Sequence, residues 1–187
     1  MSRFGLILLL MLSGCQMTPP ANQGWQALGT GYFQLYDHWP GRSQQLLQQV
    51  IWSDGTSQHQ FTVSALLQQD GILLVALSPL GQELWRLQYQ QGNVLTVSGI
   101  APFDQPTFAR RLLAEMQLAL LDVDNITAHL QQLSLQQHEQ QRFIMNTDGS
   151  KVLQITNAAN VDAGQQINLQ ASTYSLQITT LQQDFLP

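Results

Sequence analysis

The chain is poor in charge. Its 187 residues carry 7 Lys and Arg against 12 Asp and Glu, only 10% of the sequence, for a formal net charge of −5. Lysine occurs once, at Lys151, so no basic face can neutralise phosphates, and nucleic acid is excluded as a main partner. Cysteine also occurs once, at Cys15, which rules out an internal disulfide. The histidines His38, His59, His129 and His138 match no ligand spacing, so neither a metal nor a cofactor is expected. Phosphate-loop, G-x-S-x-G and S-x-x-K signatures are missing. Gly29-Thr30-Gly31 lacks the rest of a dinucleotide fingerprint and reads as a loop. Asp122 and Asp124, the nearest approach to a carboxylate pair, stand beside Asn125 at a helix start and read as caps. No catalytic residues, and hence no enzyme, are expected.

What the chain has is apolar and uncharged polar surface. Hydrophobic residues make up 44%, and glutamine stands in for charge on the polar positions. The length suits one domain with a substantial core.

The first apolar run, Leu6-Ile7-Leu8-Leu9-Leu10-Met11-Leu12, follows Arg3 and is too short to span a bilayer, which takes about 20 apolar residues. It suits the central region of a secretory signal peptide. The run ends in Leu12-Ser13-Gly14-Cys15, which resembles the bacterial lipobox. The resemblance implies cleavage before Cys15 and its acylation, and two or more buried acyl chains anchor stably where one would not. Residues 1–14 are therefore read as signal peptide, 15–24 as acylated cysteine and flexible tether (with Pro19-Pro20), and 25–187 as a single domain. Gln16 stands where an Asp would resemble the inner-membrane retention signal, which points to the periplasmic face of the outer membrane.

Turn dipeptides punctuate the rest. Asp54-Gly55, Asp70-Gly71 and Asp148-Gly149 are hairpin signals, with Gly92-Asn93 and Gly164 weaker ones. The intervening runs predict strands at about 45–52, 59–68, 72–77, 82–90 and 94–98, forming an antiparallel meander. From Thr107 to Leu121 the period changes: Phe108, Leu112, Leu113, Met116, Leu120 and Leu121 recur at helical spacing, with Arg110, Arg111, Glu115 and Gln117 largely elsewhere. Pro106 suits the helix start. A second helix is expected from Asp124, as N-cap, to Gln132, and strands at about 140–146, 151–156, 166–170 and 174–179. The fold class is thus mainly β with a helical insertion (α+β): a half-open antiparallel barrel of about eight to ten strands with helices against its concave side.

Leu74-Val75-Ala76-Leu77-Ser78-Pro79-Leu80-Gly81-Gln82-Glu83-Leu84, with Gln91-Gly92-Asn93-Val94, resembles the outer-membrane lipoprotein receptor of the Lol pathway at Pro79, Leu80, Gly81, Gly92 and Asn93. The stretch from Phe108 through Leu121 to Tyr174 is similar to the DUF3261 lipoproteins, which often accompany aryl-polyene lipid synthesis genes. The Trp-rich stretch that follows the receptor's helix has no counterpart at Asp122 to Leu133. The resemblance implies a LolA/LolB-like half-barrel with an apolar cavity for acyl chains. It also implies a lipid or lipoprotein ligand and a LolA-like periplasmic carrier as partner for a monomer tethered to the membrane. It further implies membrane contact by Leu80, whose place between Pro79 and Gly81 makes its side chain project. The candidate cavity lining is Phe61, Val63, Leu73, Val75, Trp85, Leu87, Leu95, Val97, Leu113, Met116 and Leu120. The competing readings are a non-enzymatic scaffold or interaction protein with a filled core, and an enzyme acting on lipid. An acceptor needs a continuous pocket of about 300 Å³ or more.

Overall fold

The computed structural model describes residues 24–101 and 103–187. Cys15, the expected signal peptide and residues 15–23 of the expected tether lie outside the described residues, as does Pro102. Gly24 is buried at φ +74°, its carbonyl accepts Leu35 N–H at 2.9 Å, and a Cβ there would run into the Asn93 side chain.

Mainly β structure is what forms. Strands β1 (Trp25–Leu28) and β2 (Gly31–Gln34) make a hairpin across Gly29-Thr30. A meander follows: β3 (Gln44–Ser53), β4 (Gln58–Gln68), β5 (Gly71–Leu77), β6 (Glu83–Gln90) and β7 (Val94–Gly99). Its turns fall at Asp54-Gly55, Asp70-Gly71 and Gly92-Asn93 and, between β5 and β6, at Pro79-Leu80-Gly81, with Gly55, Gly81, Gly92 and Asn93 at positive φ. Helices α1 (Pro106–Leu120) and α2 (Val123–Ala128) come next, then β8 (Leu130–Gln131), β9 (Leu133–His138), β10 (Gln141–Asn146), β11 (Lys151–Thr156), β12 (Gln166–Ala171) and β13 (Ser175–Phe185).

Strand β13 pairs antiparallel with β3 from Ser175↔Ser53 to Phe185↔Gln44, joining two meanders into one ten-stranded sheet ordered β7-β6-β5-β4-β3-β13-β12-β11-β10-β9. Its edges, β7 and β9, do not pair, so the sheet is not closed into a barrel. The strands β1-β2-β8 form a separate small sheet that the sequence does not announce. The second helix is shorter than expected for the same reason: Leu130-Gln131 leaves the helix to pair with Tyr32 and Phe33. Its N-cap is Asp122, not Asp124; the Asp122 carboxylate accepts Asn125 N–H at 2.8 Å.

Alternate residues of the strands face α1 and are buried: Leu46 and Val50 on β3, Phe61 to Leu67 on β4, Trp85 to Tyr89 on β6, Leu153 and Ile155 on β11, Ile167 and Leu169 on β12. Full burial of such a side chain is worth about 1.5–3 kcal/mol. Helix α1 lies against β7 near one edge and receives Arg142 of β10 near the other, so the sheet curls around it. The guanidinium of Arg142 is buried and donates through Nη1 to the carbonyls of Leu118 (3.0 Å) and Leu121 (2.5 Å), capping carbonyls that the helix leaves without partners.

Enclosure also corrects the helix's expected polar face. Glu115 and Gln117 are buried. Gln117 is satisfied by the backbone of Tyr36, accepting its N–H at 2.9 Å and donating to its carbonyl at 2.8 Å. The end of the sheet that carries Gln68 and Val94 is stopped by the chain after β2, with Trp39 buried there and its N–H bonded to the Gln68 carbonyl at 2.7 Å. The opposite end is less filled.

Candidate functional site: an apolar cavity with one polar end

Between α1 and the inner face, toward the end of the sheet that carries the β3–β4 and β5–β6 turns, lies a cavity of about 270 Å³. Its walls are Val50 and Trp52 of β3, Phe61 and Val63 of β4, Leu74 of β5, Trp85 of β6, and Leu176 and Ile178 of β13. Helix α1 adds Phe108, Leu112 and Met116, and Phe103 completes the wall from the loop before it. An aromatic cluster forms one end: the Phe103 ring stacks on Trp85 at 6.2 Å and meets Phe108 edge-on at 5.2 Å, while Phe61 meets both Trp85 and Phe103 edge-on. Gly99 stands opposite Trp85 on β7, where a Cβ would lie 2.6 Å from the Trp85 backbone; only glycine lets β7 close over that residue.

Of the eleven lining residues expected from the sequence, Phe61, Val63, Trp85 and Met116 are there. Leu87 and Leu113 are buried in the core away from the cavity, and Leu95, Val97 and Leu120 pack against that core without reaching it. Leu73 and Val75 are on the wrong face. Strand β5 is apolar at nearly every position, and its buried set is Ile72, Leu74 and Ala76, leaving Leu73 and Val75 half-buried outside. A shift of one residue exchanges the two faces of a strand. The register with β6 carries the missing information, since Trp85, Leu87 and Tyr89 alternate cleanly and pair with Ala76, Leu74 and Ile72.

The other end of the cavity is polar, and sequence reasoning misses it. The Glu115 carboxylate accepts the Tyr174 hydroxyl, and Arg111 Nε–H is shared between Glu115 Oε1 (3.0 Å) and Tyr174 Oη (2.9 Å). The Arg111 guanidinium lies 4.7 Å over the Tyr174 ring. Burial pushes the Glu115 carboxyl up to about 7, with Arg111 pulling the other way. Gln48, buried beside this end, donates to Thr180 Oγ1 at 3.3 Å. The periodicity holds the signal: Phe108, Leu112 and Glu115 stand at i, i+4 and i+7 on one helix face.

Leu80 is 88% exposed, at the cavity end of the sheet. Its loop is tightly tied. Gly81 N–H donates to the Ser78 carbonyl at 2.9 Å and Ser78 N–H to the Gln82 carbonyl at 2.8 Å, while Ser78 Oγ accepts from the N–H groups of Leu80 and Gln82. Pro79 and Leu80 form the turn, Gly81 takes positive φ (+79°), and the side chain between them is turned outward. Ile100, beyond β7 at the same end, is also exposed. Gly24, where the described chain enters the fold, sits at the opposite end beside Asn93.

A second concavity of about 460 Å³ lies on the outer face of β3, β11, β12 and β13, but its Gln, Asn, Ser and Thr lining offers an apolar group little. Among the described residues no three His, Cys, Asp or Glu side chains gather as a metal site would require, and no helix is long and apolar enough to cross a membrane.

An antiparallel sheet curled around one helix, with an apolar hollow of about 270 Å³ between them, defines a β-rich domain with an internal cavity. The chain belongs to the DUF3261 family, a family of unknown function, whose profile matches residues 45–182. The match spans β3 to β13 and therefore both halves of the cavity wall. No curated protein matches the chain.

Proposed function

We propose that this chain is an outer-membrane lipoprotein, anchored through Cys15. Its LolA/LolB-like half-barrel accepts an acyl chain of a lipid or lipoprotein and helps deliver it to the membrane. The observation that carries the reading is the apolar, aromatic-walled cavity against α1. Burying a methylene there is worth about 0.8 kcal/mol, and such a host needs no catalytic group. A cavity of about 270 Å³ suits one chain segment better than a whole multi-chain lipid.

Leu80 supports the delivery step, because it projects from the end of the domain where the cavity lies. The tether can reach. Strand β6, between the Gly24 end and the Leu80 loop, has 8 residues or about 26 Å at ~3.3 Å each, and residues 15–23 extended cover about 30 Å. One inserted leucine is worth roughly 1.5–3 kcal/mol, which orients a tethered domain without anchoring it. A LolA-like periplasmic carrier would supply the cargo to a monomeric acceptor.

The alternative, a scaffold with a filled core, draws on a cavity volume slightly below the roughly 300 Å³ of an ordinary ligand site. Mass spectrometry of the chain purified without Cys15 separates the two: co-purifying lipid supports the acceptor, and a lipid-free protein that also fails to bind a fluorescent fatty acid refutes it. The anchor is tested separately, since Cys15→Ser should abolish incorporation of labelled palmitate.

A further inference from the structure

We propose that the amphiphile accepted by this cavity is a single chain ending in a carboxylate, and that the Arg111 fork holds that carboxylate at the cavity's polar end. The proposal rests on the acyl-chain reading above and specifies its ligand.

Three features of the site argue for it. The first is polarity along the cavity: Phe61, Trp85, Phe103 and Phe108 wall one end, and Arg111, Glu115 and Tyr174 form the other. A molecule matching both ends is apolar with one polar terminus. The second is the state of the guanidinium. Its Nε–H is spent on Glu115 and Tyr174, and contact with the Tyr174 ring fixes its plane, but neither Nη group makes a hydrogen bond among the described residues. Arg111 is about half exposed. A planar pair of charged donors held in one orientation matches a carboxylate bidentately.

The third is Glu115. As an ionised group it competes with an incoming anion for Arg111 and repels it. As a neutral acid it does neither, and it becomes a donor. Burial already brings its titration to about 7, and an anion bound alongside drives it further toward the protonated form. The charged and titratable groups around it are Arg111 on its own helix, Tyr174 before β13, and Lys151 of β11, which lines a small cleft shared with Arg111 and Glu115. With Glu115 neutral, Arg111 is the cation left facing the cavity, since the Lys151 ammonium turns to Gln154 Oε1 (2.7 Å) and the Phe143 ring, and the polar end is electropositive. Carboxylate binding should therefore strengthen as pH falls through about 7, while the ligand, whose ordinary pKa lies near that of a free carboxylic acid, stays ionised.

The test uses the chain from Gln16 onward, which contains both sheets, both helices and the whole core. Trp52 and Trp85 line the cavity, so their fluorescence reports binding of decanoate, decanol and decyl phosphate at pH 6 and pH 8.5. Decanoate should bind more tightly at pH 6. Arg111→Met should lower the ratio of decanoate to decanol affinity about tenfold or more, as expected for a lost charge-assisted pair, and Arg111→Lys should restore part of it. Glu115→Gln should keep decanoate binding and flatten its pH dependence. A ratio that Arg111→Met leaves unchanged, or a preference for decyl phosphate, overturns the carboxylate assignment while leaving the cavity reading standing. Failure of all three probes to bind overturns the cavity reading itself.

Discussion

Replacing Glu115 by glutamine should change how the stability of this fold depends on pH, and by an amount the structure sets. The side chain is 4% exposed, and its carboxyl titrates at about 7 instead of the ordinary 4.5 because burial penalises the charge more than Arg111 rewards it. The folded state thus binds this proton more tightly than the unfolded chain. Its contribution to stability is complete below 4.5 and is lost as the pH rises through about 7. At about 1.4 kcal/mol per pH unit, that gap corresponds to about 3 kcal/mol lost by pH 8.5. For a domain of this size each kcal/mol moves Tm by about 2–4 °C, so the expected effect is about 6–12 °C.

The glutamine of the variant has no proton to lose and keeps an acceptor for Arg111 and Tyr174. The quantity to measure is the Tm of Glu115→Gln minus that of the parent, by circular dichroism at pH 5 and again at pH 8.5. Other titrating groups cancel in the difference, among them Asp148 and Asp54, whose hydrogen bonds with Ser150 and with Ser57 and Thr56 hold their carboxyls below the usual range. The variant should be level with the parent or slightly below it at pH 5 and clearly above it at pH 8.5. A difference that is the same at both values would mean that Glu115 is ionised throughout, and would refute the reasoning.

Arg142→Met removes the donor to the Leu118 and Leu121 carbonyls, and urea unfolding should show a loss of about 2–4 kcal/mol. Leu74→Trp points into the cavity and Val75→Trp away from it, so a fluorescent fatty-acid probe should lose affinity sharply with the first and little with the second; the reverse order would put the cavity on the other face. Leu80→Glu should leave Tm within about 1–2 °C of the parent, as surface changes do, while lowering transfer of lipid to liposomes; unfolding would show the leucine to be structural.

The elements themselves are largely legible in the chain. Hairpin turns at Asp54-Gly55, Gly92-Asn93 and Asp148-Gly149, the alternation of β4 and β6, and the helical spacing from Phe108 to Leu120 each depend on residues only a few positions apart. Turn chemistry and periodicity act over that range, so they can be read without knowing what lies opposite. Leu80 is likewise placed by its own neighbours, Pro79 and Gly81. Strands β1, β2, β8 and β9 escape such a reading, because short, glutamine-interrupted segments have little propensity of their own and become strands only when a partner pairs with them. The pairing of β3 with β13 joins residues from opposite ends of the domain, and no local pattern specifies it. That pairing brings Tyr174 beside α1, where Glu115 and Arg111 meet it. The inward face of β5 is undecided in the sequence for a related reason: a strand apolar on both sides takes its orientation from the strand beside it. Local sequence determined the turns, the long helix and the strands with clear alternation, since those depend on residues a few positions apart. Only the tertiary structure decided which faces look inward, and so where the cavity and its polar end lie, since burial depends on atoms that the chain brings together from far apart.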